Sequence, residues 1–166
     1  MTLTSLYIKE PGLNSLPPGV ERYIVEGGGL TGIEIFPDDE IEILNNEGNQ
    51  ICEISVFNKD GKSELAILGL KEIKNNSEIK KILFKKDETS LQALLQLKKR
   101  NLNIEKSKSS IVFDTGTKAG EKVNFKSKDK CYCIFAAPGN RMMVHEQNPS
   151  TELTIMVKRS NIKEDK

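Results

Sequence analysis

Apolar and polar residues alternate along several short runs of this chain, as they do in β-strands with one buried face. The stripes on one side of these runs are Ile33 and Ile35; Ile41 and Ile43; and Cys52, Ile54 and Val56. Turn-forming sequences separate the runs, among them Pro37-Asp38-Asp39 and Asp60-Gly61. The pattern therefore predicts antiparallel hairpins, including a return strand over 64–68.

In the middle of the chain, the spacing of apolar residues changes from that of a strand to that of a helix. Ser77 is placed to cap a short helix over 77–84, and the spacing of leucines predicts a longer one over 87–100. The expected apolar stripe of the longer helix is Leu91, Leu94, Leu95 and Leu102. Acidic residues begin this segment and Lys98, Lys99 and Arg100 end it, as the helix dipole favours.

Alternation resumes after this segment and predicts strands over 111–113, 123–126, 131–136 and 152–158. The expected fold is mainly β: an antiparallel barrel or sandwich of about eight strands with a one- or two-helix insertion. We expect an extended lead-in over 1–20, a single β-rich domain over 21–159 with its helical insertion at about 77–101, and a polar tail or linker over 160–166.

Composition narrows the class of protein. The formal net charge of the 166 residues is +1, which argues against nucleic acid or an anionic membrane surface as the main partner. The amino terminus lacks the pattern of a signal peptide, and no apolar stretch approaches the ~20 residues that cross a bilayer. Three cysteines, an odd number, favour a reducing compartment, so we expect a cytoplasmic protein.

The cysteines raise the question of a metal site. Cys131 and Cys133 lie two apart on a predicted strand, so both thiols point to one face. With Cys52 and His145 they could form a zinc site of three cysteines and one histidine. The spacing lacks the usual C-x-x-C or H-x-x-x-H pattern, and buried free cysteine packs as a small apolar residue. Core packing without metal is the prediction, and the zinc site is its alternative.

The residues most suited to contact a ligand lie near predicted loops. Arg141 and His145 occur in a polar loop over 141–148, and Gln50 directly precedes a strand. Pockets often lie at the mouths of such barrels, so we take Gln50, Arg141 and His145 as candidate ligand-binding residues. We interpret the acidic cluster around Asp39 as a solvated hairpin tip. No catalytic residue is identified.

Two parts of the chain are similar to a known family. The first comprises Arg22-Tyr23-Ile24-Val25 to Gly29, Gly32-Ile33-Glu34-Ile35, Asp39-Glu40-Ile41-Glu42-Ile43 and Glu47-Gly48-Asn49-Gln50-Ile51-Cys52-Glu53. The second comprises Ala136-Ala137-Pro138 and Asn148-Pro149-Ser150-Thr151-Glu152-Leu153. Together they resemble the start and the end of the urea carboxylase-associated domain.

This resemblance implies a domain found alone or fused to a folate-binding aminomethyltransferase of the glycine cleavage type. Some family members bind zinc through cysteine and histidine in mid-domain, but residues 70–110 here contain neither. The expected function is an accessory β-domain of a folate-linked one-carbon enzyme, aminomethyltransferase or demethylase-like, with tetrahydrofolate bound in a partner domain in cis or trans. The alternatives are a stand-alone ligand-binding protein or enzyme of urea or amide metabolism, and a non-catalytic oligomerisation module. A homo-oligomer is possible in each case.

Overall fold

The computed structural model describes residues 16–72, 78–114, 116–139 and 150–160. Within these residues, eight antiparallel strands form two four-stranded sheets. The strands are β1 Val20–Val25, β2 Leu30–Ile35, β3 Glu40–Asn45, β4 Cys52–Phe57, β5 Ser110–Val112, β6 Glu121–Lys126, β7 Cys131–Ala136 and β8 Leu153–Lys158. Two helices, α1 Glu78–Leu83 and α2 Glu88–Lys99, come between β4 and β5. The prediction of a mainly β antiparallel fold with a helical insertion is confirmed.

The order of the strands defines the topology. One sheet runs β1-β8-β3-β6 and the other β2-β7-β4-β5. The first strand therefore pairs with the last, β2 with β7, β3 with β6 and β4 with β5, all antiparallel. A long hairpin of four strand pairs wrapped into two facing sheets is a jelly roll.

The core between the sheets is aliphatic. Ile33 and Ile35 of β2 face Ile41 and Ile43 of β3 across it, and all four side chains are buried. The cysteines also lie in this core. The alternation seen in the sequence therefore identifies the inward face of each of these strands.

The helices cover the outer face of the β2-β7-β4-β5 sheet, which gives the domain a third layer. Phe57, Ile134 and Ala136 of this face pack with Ile79 and Leu97 of the helices. Both faces of β4 are consequently buried. This layer explains why all six residues of β4 are buried, although Glu53 and Ser55 are polar.

One charged residue lies beneath the helices. Glu53 is 0% exposed, and its carboxylate accepts hydrogen bonds from the backbone N–H groups of Glu78 (2.8 Å) and Ile79 (3.1 Å). These are orphan donors at the start of α1, so Glu53 satisfies them and fixes the helix on the sheet. Ser77, the expected cap, lies outside the described residues.

The buried face of α2 agrees only in part with the prediction. Asp87 caps the helix by accepting from Ser90 N at 2.7 Å. The helix then buries Ser90, Ala93 and Leu97, whereas Leu91 and Leu95 are 52% and 56% exposed. Leu94 and Leu102 of the predicted stripe do pack against the core, so the prediction is right for these two and wrong for Leu91 and Leu95.

The segment after β4 also differs. The chain turns at Gly61 with φ 79°, and Ser63 makes an isolated bridge to Phe57. The expected return strand is instead a 3-10 helix, Leu65–Leu68, which buries Leu65, Ile67 and Leu68. All four residues of this helix are apolar and three are buried, which fits a turn that packs into the core better than a strand with one solvent-exposed face.

Candidate functional site

The main polar feature of the domain is an ion cluster at one end of the sandwich. β8 directs Ile155 and Val157 inward, and the same alternation turns Arg159 inward just beyond the strand. The Arg159 guanidinium donates to both oxygens of Glu21, at 3.1 Å from Nε and 2.8 Å from Nη2. Its Nη1 donates to Asp39 at 2.7 Å and to the Glu34 carbonyl at 2.9 Å. This one side chain therefore joins β1, β2 and the turn before β3.

Asp39 is the most buried member of the cluster. Its side chain is 1% exposed and accepts from the backbone N–H of Phe36 and of Ser160, both at 2.9 Å, besides Arg159. The interpretation of this acidic segment as a solvated tip is therefore wrong for Asp39. The carboxylate folds back into the sandwich because three donors replace its water.

Glu21 and Tyr23 extend the cluster along β1. Tyr23 donates a short hydrogen bond to Glu21. Burial, followed by this hydrogen bond and the Glu21 charge, raises the pKa of Tyr23 to about 12. Burial alone would lower the pKa of Arg159. The hydrogen bonds and charges of Glu21 and Asp39 outweigh burial, so the pKa of Arg159 lies above its ordinary value. The cluster thus holds a neutral phenol beside a permanently charged guanidinium.

A cleft of about 750 Å³ opens over this cluster. Its lining is Glu21, Phe36, Pro37, Asp38, Asp39, Arg159 and Ser160. Three carboxylates and one guanidinium give it a net negative charge. The Phe36 ring is 39% exposed and attracts two cations of the protein, Lys130 Nζ at 5.5 Å and Arg159 Cζ at 5.7 Å from its centroid.

The Arg159 guanidinium is held by several groups of the protein. Four of its five N–H groups meet Glu21, Asp39 and the Glu34 carbonyl, and a hydrogen bond with Arg159 also acts on the Tyr23 hydroxyl. The cleft therefore combines an aromatic face with a net negative charge. That set suits a small cationic ligand.

Two of the three cysteines lie at the same end of the sandwich. Cys131 and Cys133 point inward with their Sγ atoms 3.7 Å apart, and Ser127 Oγ lies 3.6 Å from Cys131 Sγ. The hydrogen bond with Cys133 lowers the pKa of Cys131, with help from Ser127 and against burial. Burial raises the pKa of Cys133, as does its contact with Cys131. Cys131 is therefore the more acidic thiol of the pair.

Cys52 does not join them. In register, β4 places Glu53 beside Ala136, so Cys52 lies about four residues, or ~13 Å, along the sheet from Cys133. Burial, and then the charge of Glu53, raises its pKa. In the described part of the chain, no group of three or more side chains is arranged to hold a metal ion. The zinc alternative would also require His145, which lies outside the described residues.

Gln50 lies at the opposite end and is fully buried. Its Nε2 donates to the carbonyls of Ile51 and Pro138, each at 2.8 Å, and its Oε1 accepts from Thr151 N at 2.8 Å. The Gln50 carbonyl in turn accepts from Asn45 Nδ2. Every polar atom of this side chain is engaged by the backbone. Gln50 thus holds together the chain on both sides of residues 140–149.

The other two candidate ligand-binding residues, Arg141 and His145, lie outside the described residues. Their proposed role, like that of Gln50, stays a prediction. The sequence argument did not identify the Arg159 cluster. The signal in the sequence that could have identified the cluster is the alternation along β8. It puts Arg159, two positions beyond Val157, on the inward face, and a buried positive charge requires an acidic partner.

One curated relative is similar along most of the chain. Trimethylamine-oxide aldolase from Ruegeria pomeroyi is 33% identical over 157 residues, which is 94% of this chain and 20% of the relative. The chain therefore spans about a fifth of the length of that protein. No family model matches the chain.

A solved structure, described as a DUF1989 family protein from Silicibacter pomeroyi, matches with a TM-score of 0.49 and 11% identity. The match covers 86% of this chain and 80% of that one. At this level of similarity it adds nothing to the assignment of the site.

These comparisons correct the functional expectation. The curated relative is named as an aldolase, an enzyme in its own right, so the prediction of an accessory domain of a folate-linked one-carbon enzyme is wrong. Neither match supports the urea carboxylase-associated name, a fusion to an aminomethyltransferase, or the alternatives drawn from that resemblance. The expectation of tetrahydrofolate in a partner domain stays a prediction. Among the described helices, none is long and apolar enough to cross a membrane.

Proposed function

We propose that this chain takes part in the aldolase-type breakdown of a small methylated amine oxide, as the counterpart of one fifth of trimethylamine-oxide aldolase. The observation that carries the proposal is the 33% identity over 157 residues, which extends across 94% of this chain. Similarity along nearly the whole domain favours a shared role over a shared short motif.

The proposed reaction balances without an oxidant. An aldolase releases an aldehyde, and the only carbons of trimethylamine oxide are its N-methyl groups. One C–N bond and the N–O bond break, the oxide oxygen forms the carbonyl of formaldehyde with the departing carbon, and one methyl hydrogen moves to nitrogen. The carbon is oxidised and the nitrogen is reduced to the same extent. The other product is dimethylamine.

The cleft at the Arg159 end suits such a substrate. An amine oxide carries positive charge on a methylated nitrogen and negative charge on oxygen. The exposed Phe36 ring and the carboxylates favour the methylated cation, and the positive charge of Arg159 favours the oxide oxygen. In this role both residues bind and orient the substrate.

The test of the function is an exchange of matching regions. The segment of the Ruegeria pomeroyi aldolase that matches this chain is replaced by the 166 residues, and formaldehyde and dimethylamine are measured from trimethylamine oxide. We expect the chimera to release both products in equal amounts. A folded chimera without product, beside an active parent enzyme, would refute the proposal.

Binding to the cleft is tested separately by NMR titration of this chain with trimethylamine oxide. We expect Phe36→Leu to weaken binding about two- to fivefold because the cation–π contribution is lost. Phe84→Leu is the matched control, since Phe84 is similarly exposed (41%) and remote from the cleft lining. Equal affinity in both variants would exclude the cleft as the binding site.

A further inference from the structure

The outward side of α2 carries an apolar pair without a described partner. Leu91 and Leu95 are 52% and 56% exposed, and they are one turn apart on the same side of the helix. The opposite side, with Ala93 and Leu97, is buried in the core cluster that α1 and the sheet share with it. Two leucines that the domain itself leaves in solvent suggest a surface that another protein covers.

Charges border this pair in a self-complementary order. Asp87 and Glu88 lie before it, and Lys98 and Lys99 lie after it. All four are exposed, and Glu88 and Lys99 form no ion pair with the described residues. A partner helix must therefore present apolar residues flanked by acid at one end and base at the other.

A second copy of α2 meets this requirement when it runs antiparallel. With the twofold axis at the level of residue 93, Leu91 of one copy is level with Leu95 of the other. At 3.6 residues per turn, Glu88 and Lys99 lie on the same flank of the leucine pair. Glu88 of each copy then meets Lys99 of the other. Asp87 and Lys98 lie on the opposite flank, but the Asp87 carboxylate caps Ser90 N and interacts with the charge of Lys85, so the charge complementarity rests on the pair of Glu88 and Lys99.

We propose that the chain self-associates through an antiparallel, twofold α2–α2 contact centred on Leu91 and Leu95. The same patch on both copies makes the interface isologous, which is the commonest arrangement of protein dimers. A parallel arrangement would place like charges opposite each other at both ends of the helix. The charge order thus selects both the partner and its direction.

The contact is small, because α2 has twelve residues and is about 18 Å long. Stable interfaces bury about 1,200 to 2,000 Å², so we expect a weak dimer. Sedimentation equilibrium of the whole chain up to about 1 mM covers the relevant range. We expect reversible dimerisation that Leu91→Glu or Leu95→Glu abolishes. Gln96→Glu, an exposed change on the same helix away from the leucine pair, should leave it unchanged.

Charge reversal tests the direction of the contact. Glu88→Lys alone and Lys99→Glu alone should each weaken the homodimer about tenfold, because two attractive pairs become repulsive. Mixing the two variants should restore dimers, since each new lysine then meets a new glutamate. Circular dichroism and thermal melting establish that each variant is folded.

Two outcomes would overturn the proposal. A chain that stays monomeric up to about 1 mM leaves the patch to a different partner. A dimer that persists in Leu91→Glu, or that mixing of the charge variants does not restore, uses another surface or another direction. Neither outcome bears on release of formaldehyde by the chimera, so the proposed function stands or falls separately.

Discussion

Replacing Arg159 by methionine tests whether the ion cluster holds one end of the sandwich together. The change removes four hydrogen bonds, to Glu21, Asp39 and the Glu34 carbonyl, but keeps much of the apolar stem. Asp39 remains buried without a counter-charge. We therefore expect the domain to lose stability while the core between the sheets stays unchanged.

The size of the stability loss depends on how far water and the remaining hydrogen-bond donors replace the Arg159 guanidinium. Removing one partner of a fully buried ion pair costs about 3–5 kcal/mol. Arg159 and Glu21 keep side-chain exposures of 16% and 21%, and Asp39 still accepts from Phe36 N and Ser160 N. These features place the expected loss at the lower end, about 3 kcal/mol.

Urea unfolding followed by far-ultraviolet circular dichroism measures this loss, since the chain has no tryptophan. Lys158→Met is the matched control: Lys158 is the exposed neighbour on β8 and should change the unfolding free energy by less than about 0.5 kcal/mol. In the double variant with Asp39→Asn the orphan charge is gone, so the combined loss should be smaller than the sum. An unchanged free energy in Arg159→Met, or strict additivity with Asp39→Asn, would refute this reasoning.

Other predictions concern groups elsewhere in the domain. Gln50→Leu should lower the free energy of unfolding by about 3 kcal/mol because it leaves buried backbone groups unpaired. Gln96→Leu on the surface is the control and should leave this free energy unchanged. Equal urea midpoints for the two variants would contradict the prediction. The raised pKa of Tyr23, about 12 against an ordinary 10.0, stabilises the fold fully below pH ~10 and progressively less as pH rises towards 12. Tyr23→Phe should therefore flatten the alkaline loss of stability in urea titrations, and an equally steep fall would contradict it. With limiting iodoacetamide and peptide mapping, Cys131 should be alkylated before Cys133 in the folded chain, and the order should disappear in urea.

The sequence was a reliable guide wherever one strand face is dry and the other is wet. Alternation over 33–35 and 41–43 identified the inward residues, and the strand over 131–136 has the bounds that were predicted. It failed at 64–68, and for Leu91 and Leu95 of α2, where the apolar pattern alone does not select one structure or one buried face. There the choice depends on which other segments of the chain pack against these residues.

The candidate site was less accessible to sequence reasoning. Glu21, Asp39 and Arg159 are far apart in the chain, and none belongs to a motif of fixed spacing. Gln50 was predicted to precede a strand directly, and β4 begins two residues later at Cys52, but the structure engages its whole side chain with the backbone. Its neighbours in space come from residues 138 and 151, which no local pattern connects to it.

Alternation, turn chemistry and helix period by themselves determined that this protein is an antiparallel β domain with a helical insertion, because each acts over a few neighbouring residues. Only the tertiary structure decided the jelly-roll strand order, the layer of helices over one sheet and the cluster around Arg159. Strand order and ion pairing depend on which distant segments meet, since burying a charge is favourable only where another part of the chain supplies its partner.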